Sequence, residues 1–306
     1  MTKGVVGWCV KTNLDALLTE LYVFVDDHVV ADRRRRPGRP PRLSDAERVC
    51  LAVAQVLLGF CSQHRWLRFC HRRLGHLFPY LPQQSGYHKR VSAAAGLLSL
   101  VATALAAQTP SGHDKVRLLD ATPVPCGTSR ETVKRSRLAG DAGYGYCASH
   151  SRWYWGLKLY LVTALDGMPI AWCLAYPKLG EREVAAELLE QACHQSKLTA
   201  GMIVIGDKGF AGAGFQRHAN ELGLLFVRPD RRDETRRYGN LAPVRQRIES
   251  IIDTLKGQLS LEDHGARTAT GVIARINQRI LALAAAIWHN WATDAPIRRS
   301  LTAYDH

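Results

Sequence analysis

The chain has 306 residues, 46% of them apolar, so it can bury a substantial core as one large domain or two of ordinary size. Lysine and arginine number 41 against 27 acidic residues, and the resulting formal charge of +14 favours a polyanionic partner, most commonly nucleic acid. Because the sequence has no run of about 18 apolar residues and no signal-peptide pattern, we expect a soluble cytoplasmic protein without a membrane partner.

Residues 1–110 predict a small all-α domain. Asn13 can cap a first helix with apolar residues at helical spacing, and residues 44–47, Ser-Asp-Ala-Glu, form a capping box that opens a second. A shorter basic helix and a fourth helix follow. Several short helices with a basic middle member are compatible with a helix-turn-helix DNA-binding domain, although any small helical domain has the same outline.

An arginine- and proline-rich linker occupies residues 32–43. Its prolines exclude a helix or the core of a strand, and its Gly-Arg-Pro centre resembles peptides that insert arginine into the minor groove of DNA. The alternative is a solvated linker that contacts phosphates without order. With either interpretation we expect DNA contacts from the arginines of this linker, which are Arg33, Arg34, Arg35, Arg36, Arg39 and Arg42.

Four possible zinc ligands lie close together after the second helix: Cys61, His64, Cys70 and His71. Their types suit zinc, but Cys70 and His71 are adjacent and the spacing matches no standard zinc finger. The eight cysteines include no Cys-x-x-Cys pair, which is typical of reduced thiols. The spacing therefore disfavours zinc.

From residue 111 to 293 the pattern changes to strands that alternate with helices. Apolar runs predict strands at 116–120, 154–165, 168–175, 202–206 and 224–227, with an Asp-Gly turn between the second and third. Helical spacing predicts helices at 180–194, 211–222, 244–258 and 270–291. This order predicts an α/β domain with a mixed five-stranded sheet and helices on its faces, followed by a tail at 294–306.

Two of these strands end in a carboxylate, at Asp120 and Asp207. In the helix at 244–258, Arg245, Glu249 and Lys256 fall within about 40° of one another, at the edge of an apolar stripe. Taken separately, the aspartates could be turn residues, and the helix a surface helix with an Arg–Glu pair. Taken together, the three carboxylates suit a hard cation such as Mg²⁺, with the two cationic residues as charge or phosphate partners.

Three motifs resemble those of the DDE transposases of bacterial insertion sequences. Residues 118–123, Leu-Leu-Asp-Ala-Thr-Pro, resemble the first motif, and residues 205–210, Ile-Gly-Asp-Lys-Gly-Phe, resemble the second. The Arg-x₃-Glu-x₆-Lys spacing of residues 245–256 matches the third motif. The fuller third motif begins with Tyr, and Ala242 stands at that position here.

The resemblance implies an RNase H-like catalytic domain, with Asp120, Asp207 and Glu249 as the catalytic and metal-binding triad and Lys256 as a DNA contact near the cleaved end. It also implies a cut-and-paste transposase that cleaves transposon ends and transfers strands into target DNA. Such an enzyme would use two Mg²⁺ ions, with Mn²⁺ as a possible substitute. Its partners would be double-stranded DNA and at least one further copy of the chain. The alternatives are an RNase H-like nuclease without strand transfer and a domesticated transposase that only binds DNA.

Overall fold

The computed structural model describes residues 14–30, 41–147, 151–230, 234–235 and 237–295. Its N-terminal part is helical, as expected. The predicted capping box is present, because the Ser44 side chain accepts from the Glu47 amide at 3.0 Å and the Ser44 amide donates to the Glu47 carboxylate at 2.6 Å. The helices are α1 (Leu14–Val25, extended by a π-helical turn Asp26–Val30), α2 (Asp45–Leu57), α3 (Gln63–Arg73), α4 (Gln84–Ala93), α5 (Ala95–Gln108) and α6 (Pro110–His113).

A mixed sheet flanked by helices follows, which confirms the predicted α/β class and the RNase H-like architecture. Its order is β2-β3-β1-β5-β6, and β4 also pairs with β3. β1 runs antiparallel to β3 and parallel to β5, and β6 runs parallel to β5. The strands are β1 (Val116–Gly127), β2 (Gly143–Cys147), β3 (Arg152–Thr163), β4 (Pro169–Ala175), β5 (Ile203–Ile205) and β6 (Leu225–Val227).

Two features of the sheet correct the sequence prediction. The sheet has six strands where five were predicted, since β2 was missed. β1 also continues to Gly127, so the prediction that Asp120 ends a strand was wrong. Pro123 and Pro125 concealed the extension, because proline is tolerated in a strand only at an edge. Beyond Leu118 β1 no longer pairs with β5, so that side of β1 is an edge and accommodates the two prolines.

The remaining helices lie between and around the strands. The helix predicted at 244–258 begins at Ala242, and its last turn is π-helical. The helices are α7 (Arg130–Arg135), α8 (Glu181–His194), α9 (Ala213–Glu221), α10 (Ala242–Asp253, followed by the π-helical turn Thr254–Gln258) and α11 (Ala269–Ala292).

The last helix, α11, belongs to the core of the whole molecule. It packs against α5 and α2 from the N-terminal part and also contacts β4. Within the described residues, α11 and the bent pair α4–α5 have the length and apolar composition of a membrane span, but α11 is 89% buried in the protein. The predicted domain boundary near residue 110 stays a prediction, since the helices and the sheet share one apolar core.

Polar side chains join α11 to the N-terminal helices at a contact that we call the seam. Gln278 donates to the Ala52 carbonyl at 2.7 Å and to the Gln55 side chain at 3.2 Å, and it accepts from the Arg275 guanidinium at 2.8 Å. All these side chains are buried. A buried polar group is costly unless it is hydrogen-bonded, so the seam allows few alternative packings of α11.

Candidate metal and DNA site

Strand register brings the first two predicted carboxylates together. In the parallel pair of β1 and β5, Leu118 lies opposite Ile205. Asp120 and Asp207 each follow two residues later, and β5 has ended by then. Because side chains alternate between faces with a period of two, Asp120 projects from the same face of the sheet as Leu118. The Asp207 carboxylate lies close enough to raise the pKa of Asp120. The carboxyl ends of parallel strands commonly form binding sites in such sheets.

Asp120 is the most strongly perturbed carboxyl group of this site. Burial raises its pKa to about 6, the Ala121 amide opposes the rise with a 2.7 Å hydrogen bond, and the neighbouring Asp207 carboxylate adds to it. A buried carboxylate beside a second carboxylate is destabilised in its charged form. A cation bound between them would relieve that repulsion.

α10 carries the third carboxylate over the same face of the sheet. Ile248, Ile251 and Ile252 of this helix line a small cavity together with Asp120. The next residue after Ile248 is Glu249, whose side chain is 61% exposed. The apolar stripe of α10 therefore lies against the sheet, and Glu249 stands at its margin.

A single guanidinium connects Asp207 with Glu249. Nε of Arg245 lies 3.8 Å from Asp207 Oδ1, and its Nη2 lies 3.5 Å from Glu249 Oε1. Asp207 therefore links the two parts of the site, because it lies near Asp120 on one side and near Arg245 on the other. The predicted partnership of Arg245 with the carboxylates is present in the structure.

Lys256 pairs with a carboxylate outside the predicted triad. It falls in the π-helical turn, and its ammonium group is 3.7 Å from a carboxylate oxygen of Glu262. The expectation that Lys256 shares the face of Glu249 assumed a regular α-helix, and a π-turn changes the angular spacing between residues. Glu262 also accepts from the Arg152 guanidinium at 2.6 Å. Lys256 thus belongs to a separate charged cluster with Arg152 and Glu262.

The other predicted DNA and metal ligands are less completely described. Arg33, Arg34, Arg35, Arg36 and Arg39 lie outside the described residues, whereas the Arg42 guanidinium lies 4.2 Å from the centre of the Tyr80 ring. Within the described part of the chain no group of three His, Cys, Asp or Glu side chains is close enough to hold a metal ion. In the Cys61, His64, Cys70 and His71 set, Cys70 is buried and Cys61 is exposed.

A further ion pair near Asp120 was missed by the sequence analysis. The ammonium of Lys158 on β3 lies 2.6 Å from the carboxylate of Glu181 at the start of α8. Both residues act on the pKa of Asp120, which Glu181 raises and Lys158 lowers. The available signal was a lysine inside an otherwise apolar strand, since a charged residue there needs a partner.

The match to known proteins covers this same region. A family model described as the transposase DDE domain matches residues 111–285, more than half of the chain. The chain belongs to the DDE transposase family. No curated protein and no solved structure matches it. DDE transposases act on DNA and generally use divalent metal ions.

The chemistry of the donor set fits such an ion. Asp120, Asp207 and Glu249 supply the carboxylate oxygens that hard divalent cations prefer. Burial, with the Asp207 carboxylate as a lesser cause, raises the pKa of Asp120, and a bound cation would favour its charged form. Arg245 supplies one positive charge between the other two carboxylates, so Glu249 must leave this guanidinium before the three carboxylates can share an ion.

Proposed function

We propose that this DDE transposase cleaves DNA at the ends of its element and transfers the freed 3′-hydroxyl into target DNA. The observation that carries the proposal is the convergence of Asp120, Asp207 and the Arg245–Glu249 pair at one edge of the sheet. Within a family that acts on DNA, this edge is the place where a scissile phosphate would lie.

Asp120, Asp207 and Glu249 would hold Mg²⁺, in a two-ion arrangement in which Mn²⁺ could substitute. Such ions supply an activated attacking oxygen and a stabilised leaving oxygen for in-line phosphoryl displacement. Asp120 must give up its proton to act as a ligand, which its raised pKa makes harder at acidic pH. Arg245, once released from Glu249, would be free to contact a phosphate next to the scissile one.

The remaining contacts follow from charge. Lys256 would contact DNA near the cleaved end, and Arg33, Arg34, Arg35, Arg36, Arg39 and Arg42 would bind phosphates of double-stranded DNA. Joining two element ends would require at least a homodimer on the DNA, and we expect the protein to act in the cytoplasm. The net charge of +14 supports a polyanionic partner of this kind.

Glu249→Gln tests the proposal directly. The protein would be incubated with Mg²⁺, a target plasmid and DNA that carries the ends of its own element. We expect joined products from the wild type, and a loss of more than about 100-fold in Glu249→Gln, because even outer partners of metal ligands contribute 10–100-fold. Binding to element-end DNA should stay unchanged.

Asp253→Asn is the matched control, since Asp253 is an exposed carboxylate one turn further along α10. It should cleave and join like the wild type. Cleavage without joined products would show that the protein is a nuclease. Unimpaired cleavage by Glu249→Gln would show that Glu249 is not part of the site.

A further inference from the structure

The edge strand β2 has an unusual distribution of side chains. Its sequence begins Gly-Tyr-Gly-Tyr, and the glycines are buried whereas the tyrosines are exposed. A Cβ at Gly143 would collide with the Tyr176 ring, and one at Gly145 would collide with the Tyr154 ring. The inner face therefore favours glycine at these positions, where the Tyr154 and Tyr176 rings fill the space, and the large aromatic side chains of this strand face outward.

The outward side chains form a continuous group with β3. Tyr146 lies opposite Trp153 in the antiparallel register, and their ring centres are 5.3 Å apart. Tyr144 is exposed as well, while Trp153 is 72% exposed, the highest value among the large apolar side chains of the described residues. We refer to Tyr144, Tyr146 and Trp153 as the aromatic patch. Exposed apolar groups of this size commonly mark a binding surface.

The patch lies on the same face of the sheet as Asp120. Asp120 is paired with Leu161 of β3, and Trp153 is an even number of residues from Leu161 along that strand. Side chains separated by an even number of residues share a face. Eight residues at about 3.3 Å each put Trp153 roughly 26 Å from the level of Asp120, a span of several nucleotides.

A cationic cluster adjoins the patch in the sequence. Arg152, which precedes Trp153 on β3, shares the Glu262 carboxylate with Lys256 of the α10 extension. Two cations against one carboxylate leave a net positive charge in this cluster. An anionic backbone together with flat rings is the chemistry of nucleic acid, and a combination of cations and aromatic side chains is how proteins bind unpaired strands.

We propose that the aromatic patch stacks on unpaired nucleobases of the DNA, on the side of the site marked by Arg152 and Lys256. The patch would hold bases several nucleotides from the phosphate at Asp120. This inference rests on the proposed function only in assuming that the DNA lies across the face of the sheet that carries Asp120.

Trp153→Leu and Trp153→Phe separate stacking from simple apolar contact. Leucine keeps an apolar side chain without an aromatic face, and phenylalanine keeps the face. Binding of a fluorescent single-stranded 20-mer would be measured by anisotropy without divalent metal, so that the result is independent of cleavage. We expect about tenfold weaker binding for Trp153→Leu and at most about threefold weaker for Trp153→Phe, because a phenyl ring still stacks on a base.

Trp291→Leu is the matched control, because Trp291 is an exposed tryptophan at the end of α11. It should bind the 20-mer like the wild type. A fully paired blunt duplex should bind Trp153→Leu and the wild type equally. A duplex with 2-aminopurine in a single-stranded gap several nucleotides from the cleavage position should show stronger quenching by the wild type than by Trp153→Leu.

Equal binding of the 20-mer by the wild type and Trp153→Leu would overturn the proposal. Sedimentation would be run on the same samples. If Trp153→Leu loses a dimer that the wild type forms without DNA, and single-strand binding falls only with that dimer, the patch is a contact between copies of the chain and the proposal is wrong. A failure of Glu249→Gln to affect cleavage would overturn the metal site without changing any of these binding results.

Discussion

Charged side chains are arranged in opposite ways at the seam and at the sheet edge where Asp120, Asp207 and Glu249 lie. At the seam, Arg275 is buried and donates to Gln278, and one turn further along α11 the buried Arg279 donates to the Ser260 carbonyl at 2.9 Å. At the sheet edge, the side chains of Asp207 and Glu249 are 51% and 61% exposed and share one guanidinium at 3.8 and 3.5 Å. Seam side chains are committed to fixed hydrogen bonds, whereas the carboxylates at the sheet edge retain capacity to bind a ligand.

Some of the positive charge of the chain is buried and cannot contact DNA. Burial lowers the pKa of Arg279 to about 10, and Arg117 is fully buried with its guanidinium on the Ser111 and Gly112 carbonyls. These arginines contribute to the charge of +14 without facing DNA. The surface available to a polyanion is therefore less basic than the composition alone indicates.

The largest effect on stability should come from the seam. Gln278→Ala leaves the Ala52 carbonyl without a 2.7 Å bond and removes an acceptor from Arg275. The Ala52 carbonyl lies inside α2, and the buried Arg275 guanidinium keeps a longer bond of 3.4 Å to Gln55. A poorly satisfied buried charged group costs about 1–3 kcal/mol, and the shortened side chain leaves a cavity, so we expect a loss of about 3 kcal/mol in the free energy of unfolding. Urea unfolding would measure it. Gln246→Ala, at an exposed position of α10, should change stability by less than about 0.5 kcal/mol.

The same variant also tests whether the seam and the carboxylate site are independent. Cleavage per folded molecule should be unchanged in Gln278→Ala, since the seam is separate from the carboxylates. A loss below about 1 kcal/mol would show that the seam is not held by these bonds.

A smaller effect of opposite sign is expected from Asp120→Asn in the absence of metal. The folded-state pKa of about 6 lies above the ordinary value of 3.8, so ionisation of Asp120 opposes folding. The favourable contribution of this carboxyl group is present below pH 4 and is lost as the pH rises through 6. We therefore expect the variant to be more stable than the wild type at pH 7.5, by about 1–3 kcal/mol.

Urea unfolding with EDTA at pH 5.0 and pH 7.5 measures this difference. The gain in stability should be larger at pH 7.5. An equal gain at both values, or a loss at pH 7.5, would show that Asp120 is not held in a destabilised ionised form.

The sequence was a good guide where local chemistry determines the structure. The Ser44–Glu47 capping box and the course of α11 depend on hydrogen bonds and spacing within a few residues. Asp120 and Asp207 could also be singled out as candidates, because each follows a short apolar run that predicts a strand, although β1 continues past Asp120.

The failures arose where tertiary contacts override local signals. β2 was missed because its glycines are poor strand formers, and their role appears only once Tyr154 and Tyr176 are packed against them. The position of Lys256 depends on a π-turn that helical spacing does not predict. The pairing of Lys158 with Glu181 depends on how α8 meets the sheet.

The most direct test of the metal site is a titration of the protein with Mn²⁺ at pH 7.5, with free Mn²⁺ followed by electron paramagnetic resonance. Asp207 lies near both Asp120 and Arg245, so Asp207→Asn should weaken Mn²⁺ binding by at least about tenfold. The control Asp253→Asn should bind Mn²⁺ like the wild type. Saturable binding by the wild type that is lost in Asp207→Asn is the result we predict. Equal binding by the wild type and Asp207→Asn would contradict a metal site at Asp120, Asp207 and Glu249.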